Sequence, residues 1–189
     1  MRRTLMAAGL ALLLAACWQS EARIFDRGDW ANLGLEGNYT SFDANGDEQA
    51  RVVLRTRPGG LVDSSSTDLD NGKVERSVLG FVRIEGGSDR YFLAVDRSDE
   101  GGEGDLYLIA HLTEDGAIAI YWPECAGTPP VEGLVIERDG LTEIDVCTFS
   151  SRSALMEAGL EAERFLAAKH IVAVSPLGRL QPDTDEGAD

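Results

Sequence analysis

Two histidines and three cysteines in 189 residues leave little from which to build a metal centre. Positive charge is scarce too: 17 Lys and Arg stand against 33 Asp and Glu, a formal net charge of −16. That balance excludes nucleic acid as a partner and excludes docking on anionic lipid through a basic patch. Neither His111 nor His170 belongs to an HExxH or to any close ligand set, and there is no CxxC. Both histidines are expected at a surface or an interface. The Gly-x-Ser-x-Gly elbow of a serine hydrolase is missing, and "GGEG" (101–104) lies between strands instead of opening a helix as a phosphate loop must. "DANGDE" (43–48) and "DLDNGK" (68–73) lack the Gly and Glu of a calcium loop and read as turns. No motif asks for a cofactor, and carboxylates are too common for pairing alone to nominate a glycosidase site.

Long apolar runs are absent as well. "LMAAGLALLL" (5–14) is about half of the roughly 20 residues a transmembrane helix needs. It follows Arg2 and Arg3 and ends in "AAC". A charged end, a short hydrophobic segment and small residues before a cut site make a secretory signal. Leu14-Ala15-Ala16-Cys17 resembles the lipobox of bacterial lipoproteins. The resemblance implies a signal peptide over 1–16, cleavage before Cys17 and lipid on its sulfur. Each buried CH₂ of such a lipid contributes about 0.8 kcal/mol, so several acyl chains make a stable anchor. The alternative is an ordinary signal peptide or a buried helix, with Cys17 a small hydrophobe. Residue 18 is Trp and not the Asp that holds many lipoproteins at the inner membrane, so the resemblance implies the outer membrane, facing the periplasm. Removing residues 1–16 takes away two Arg and no acid, which makes the mature chain more acidic still.

With Cys17 acylated, Cys125 and Cys147 remain as a pair in an oxidising compartment and are expected to form a disulfide worth roughly 3 kcal/mol. A reactive or metal-binding pair is the other option, but no His lies within a few residues of either Cys.

The fold class read from the pattern is α+β: mainly an antiparallel β meander, a curved sheet or small barrel, with one C-terminal helix packed on it. Residues 17–36 read as a lipidated tether, 37–180 as the β-rich domain and 181–189 as a disordered acidic tail. "SVLGFVRIEG" (77–86) and "RYFLAVDR" (90–97) predict one hairpin, "DLYLIAHL" (105–112) and "AIAIYW" (117–122) a second. "GLVIER" and "TEIDVC" around "DG" (139–140) predict a third, each strand with one apolar face. "SSST" (64–67) reads as a flexible linker. "SSRSALMEAGLEAERFLAAK" (150–169) predicts a helix over about 151–169, capped by Ser, with Leu155, Ala158, Ala162 and Phe165 as its buried stripe. "HIVAVS" (170–175) is a candidate last strand.

Within "YWPEC", Trp122 shares a strand face with Ile118 and Ile120, which points it towards the core, whereas Tyr121 shares one with Ala117 and Ala119, small residues that leave room for a groove. Tyr121 and Trp122 are therefore the candidate ligand-facing residues. Three functions follow. The first is a membrane-anchored, non-enzymatic envelope domain that binds a protein or glycan partner. The second is a lipocalin-like carrier of a small apolar ligand; Gly28 and Trp30 match its leading Gly-x-Trp in spacing, but a turn-like "ANLGLEGNYT" follows. The third is a hydrolase, to be recognised by an acid in a cleft with a raised pKa.

Overall fold

The computed structural model describes residues 18–97, 104–125, 128–138, 145–168 and 178–183. Cys17 and His170 lie outside the described residues, as do the proposed strand 170–175 and the tail beyond 183.

Eleven strands and one helix make up the described chain. In order they are β1 (Trp18–Gln19), β2 (Gly37–Phe42), β3 (Glu48–Thr56), β4 (Val62–Asp68), β5 (Val74–Arg83), β6 (Tyr91–Asp96), β7 (Leu106–Leu112), β8 (Ile118–Tyr121), β9 (Leu134–Arg138), β10 (Asp145–Phe149), α1 (Arg152–Ala168) and β11 (Gly178–Pro182). Strands β2 to β8 run as a meander, β11 enters antiparallel between β8 and β2, and β6 pairs with β7. The result is a closed eight-stranded antiparallel barrel. The three expected hairpins form, as β5–β6, β7–β8 and β9–β10. The β2–β3 turn is made by local polar chemistry, with Asp43 accepting the backbone N–H groups of Asn45 and Asp47 at 2.8 and 3.0 Å.

The barrel lumen is packed with apolar side chains to which every one of its strands contributes. Tyr39, Val52, Leu54, Val62, Phe81, Phe92, Ala110 and Ile118 are buried together, with Leu180 of β11 partly buried against them. A second core lies outside the barrel. There Val82, Leu93, Val95, Tyr107 and Ile109 meet Leu155, Ala158 and Leu166 of α1. Strands β5 to β7 are thus buried on both faces, where one apolar face had been expected.

The stretch 18–36 is not a tether. Trp18 and Gln19 form β1, antiparallel to β7 and parallel to β10, so Trp18 lies between Tyr107 and Cys147. Phe25 and Trp30 are buried in the outer core. Trp30 rests flat on β5, where a Cβ at Gly80 would come within 2.5 Å of its ring. Gly60 accepts its backbone at φ +90° with no room for a side chain. The Arg97 guanidinium stacks on the other side of that indole, 4.9 Å from the ring centroid, and donates to the Phe25 carbonyl at 3.2 Å. Periodicity gave no sign of this because the segment packs by single aromatics instead of a regular face.

Other expectations are corrected. "SSST" forms the centre of β4, held by ladders to β3 and β5 on both sides. Gln181 and Pro182, assigned to the tail, complete β11, and Thr40 donates to the Asp183 carboxylate at 2.8 Å. His111 is buried and stacks on Tyr91 at 4.4 Å between ring centroids. The helix starts as expected, with Ser151 accepting the Ala154 N–H at 3.2 Å. Its buried face is rotated, however. Gly159 approaches Leu93 and Ile84, and buried Glu163 accepts the Ser88 N–H at 2.7 Å. Phe165 is left 51% exposed.

Candidate functional site

Cys125 and Cys147 are disulfide-bonded, with a Cα–Cα separation of 5.6 Å. The bridge ties the loop after β8 to β10, two residues before the chain leaves the strand for α1. Because Cys147 is the register partner of Trp18, it also secures β1.

Beside the bridge lies an apolar groove of about 390 Å³ between α1, β7 and the loop after β8. Tyr121 and Trp122 both line it, joined by Trp18, Pro123, Phe165 and Leu166. The ligand-facing residues nominated by the sequence therefore share one concavity. Trp122 lies past the end of β8, so the alternation that pointed it towards the core no longer applies. Trp18 is fixed by donation of its indole N–H to Thr128 Oγ1 at 3.1 Å, and Glu124 and Glu161 give the groove its only carboxylates among the described lining. Tyr121 is buried, yet its hydroxyl has no hydrogen-bond partner among the described residues. Burial raises its pKa, with the nearby Tyr91 adding to that rise and Arg179 opposing it.

A neighbouring row on the outer face, Tyr91–His111–Ala119–Arg179, follows from the strand registers. His111 Nδ1 and Arg179 Nε are buried without partners among the described residues, as is Glu163 Oε2 on the helix. Desolvation lowers the His111 pKa, and the charge on Arg90 lowers it further.

A second concavity, of about 1110 Å³, opens against β3, β4 and β5. It is polar, with Arg55, Arg76, Ser65 and Asp96 among its lining, plus the ion pairs Arg57–Asp63 and Lys73–Glu75. Burial raises the pKa of Asp96, whose Oδ1 finds no partner. The sequence did not reveal this cleft, since its residues come from β3, β4, β5 and the end of β6 with no shared motif.

The chain matches no protein-family model, no curated protein and no solved structure.

Proposed function

We propose that this chain is a lipid-anchored, periplasm-facing lipoprotein of the cell envelope, held at the outer membrane through Cys17, whose barrel is a binding domain and not an enzyme. The observation that carries the binding role is the division between inside and outside. The lumen holds an apolar cluster with side chains from all eight barrel strands, while the apolar groove lies outside the barrel and the polar concavity takes Arg55, Ser65 and Arg76 from the outer face and Ser64, Ser77 and Asp96 from the inner one. That arrangement favours recognition at the surface over carriage within the barrel. The polar cleft on β3–β5 suits an envelope glycan or a polar protein surface, because Arg55, Asp63, Ser65 and Arg76 share one outer face and offer donors and acceptors at fixed strand spacings. Trp18 belongs to β1, so no flexible spacer separates Cys17 from the fold, and the barrel would stand close to the bilayer.

Mass spectrometry of the mature N-terminus tests the anchor: acyl mass on Cys17 is expected, and an intact leader overturns it. Pull-down from envelope membranes tests the partner. An Arg55→Glu, Arg76→Glu variant should lose what the unaltered chain retains. A hydrolytic reading has one observation in its favour, the raised pKa of Asp96 in a cleft. Turnover of an envelope glycan abolished by Asp96→Asn would establish it in place of simple binding.

A further inference from the structure

The apolar groove offers more than a hydrophobic surface. Trp18, Trp122, Phe165 and Leu166 supply a lining for a hydrocarbon chain, and about 390 Å³ lies within the usual span of small-molecule sites, roughly 300–1,000 Å³. One lining residue is unfinished. Tyr121 is 3% exposed and its hydroxyl has no partner, a costly state for a polar group removed from water. An occupant carrying a hydrogen-bond acceptor would complete it.

The surrounding charge restricts the acceptor. Glu124 and Glu161 line the groove, and buried Glu163 lies near Tyr91, which in turn neighbours Tyr121. Arg164 pairs with Glu161, and Arg179, whose charge acts on Tyr121, pairs with Asp115 through one terminal nitrogen while its Nε has no partner among the described residues. A carboxylate or phosphate head would enter a field of like charge. An uncharged carbonyl would not.

We infer that the groove binds the acyl chain of a neutral lipid through its hydrocarbon lining and the Tyr121 hydroxyl, which donates to the ester carbonyl. This site does not depend on the Cys17 anchor.

The test uses the full-length chain in isolated membranes and a monoacylglycerol with a diazirine in its acyl chain. Cross-linked peptides mapped by mass spectrometry should cluster at 121–124 and 158–166 and should be displaced saturably by unlabelled monoacylglycerol. Palmitate should compete at least tenfold less well. Tyr121→Phe keeps the ring and removes the donor, so labelling at fixed probe should fall about three- to tenfold, the worth of one neutral hydrogen bond. Phe165→Glu, on an exposed rim position, should reduce labelling independently. Non-saturable labelling, labelling on lumen strands, or equal competition by palmitate overturns the inference. So does a groove that is labelled only after acyl groups are stripped from Cys17, which would assign it to the chain's own anchor.

Discussion

The two cores of this protein are built by different rules. The lumen core draws on every barrel strand, with β2, β4 and β11 giving one apolar residue each, and its members are mostly aliphatic or small. The outer core lies on β5 to β8 alone and is dominated by large rings, with Trp18, Phe25, Trp30, Tyr107, Tyr121 and Phe149 brought in from four parts of the chain. Trp18 meets Phe149 edge-on at 5.2 Å, and Phe25 meets Tyr107 at 6.0 Å and Trp30 at 6.2 Å. The lumen follows from closing a sheet. The outer core exists only because an N-terminal segment and a helix are folded back onto that sheet, and it is the outer core that makes the groove. The difference teaches that shape and recognition are assigned to separate hydrophobic layers.

The sharpest way to break the outer layer is Phe25→Ala. A fully buried aromatic truncated to Ala should cost about 3–5 kcal/mol in chemical denaturation. The same change on a solvated tether would cost less than about 0.5 kcal/mol. Asp105→Ala should have a similar effect, since it strands Arg97, whose side chain is only 16% exposed, without its 3.4 Å partner.

Replacing Cys125 and Cys147 together by Ser should cost about 3 kcal/mol for a separation of 22 residues. Hydrogen exchange should show the loss of protection concentrated in β1 and β10, with lumen strands β2 to β4 little changed. Uniform loss across the barrel would mean that the two layers unfold as one unit. Gly80→Ala pushes a methyl group into the Trp30 ring and should cost about 1–3 kcal/mol, with the loss relieved when Trp30 is also reduced to Ala.

The smallest effects are electrostatic and of opposite sign. His111 prefers its neutral form in the fold, so below its ordinary pKa of 6.5 the unfolded chain takes up protons first. Stability should therefore fall as pH drops through that range, and His111→Phe should flatten the dependence. Asp96 is raised above 3.8, so the native state holds its proton longer, and its contribution to stability declines as pH climbs from 3.8 through the folded value. Asp96→Asn should raise Tm at neutral pH and lose that advantage in acid.

Legibility from the sequence followed regularity. The hairpins at 77–97 and 105–122 carry alternating apolar residues around Gly-containing turns, and β6, β7 and β8 fall within them while β5 begins three residues earlier, at Val74. The helix expected over 151–169 spans Arg152–Ala168, but its face was misjudged. Phe165 has the right spacing, yet Gly159 and Glu163 take the sheet side because they fit close against Leu93 and Ser88. β4 was missed because its serines carry no pattern of their own; it is a strand because its neighbours hold both its edges. Tyr121 and Trp122 line one groove, and Trp18 and Phe165 join them there from more than forty residues away on either side.

By itself the sequence determined the elements that repeat: meander strands of period two, a Ser-capped helix of period 3.6 and a cysteine pair able to bridge. It also carries Arg2 and Arg3, the apolar run 5–14 and the Leu14-Ala15-Ala16-Cys17 that resembles a lipobox. Tertiary structure decided barrel closure through β11, the docking of residues 18–36 and the separation of a lumen core from an outer core. Periodicity is a property of neighbouring residues, whereas a single buried ring such as Phe25 or Trp30 owes its place to surfaces that exist only once distant strands have met.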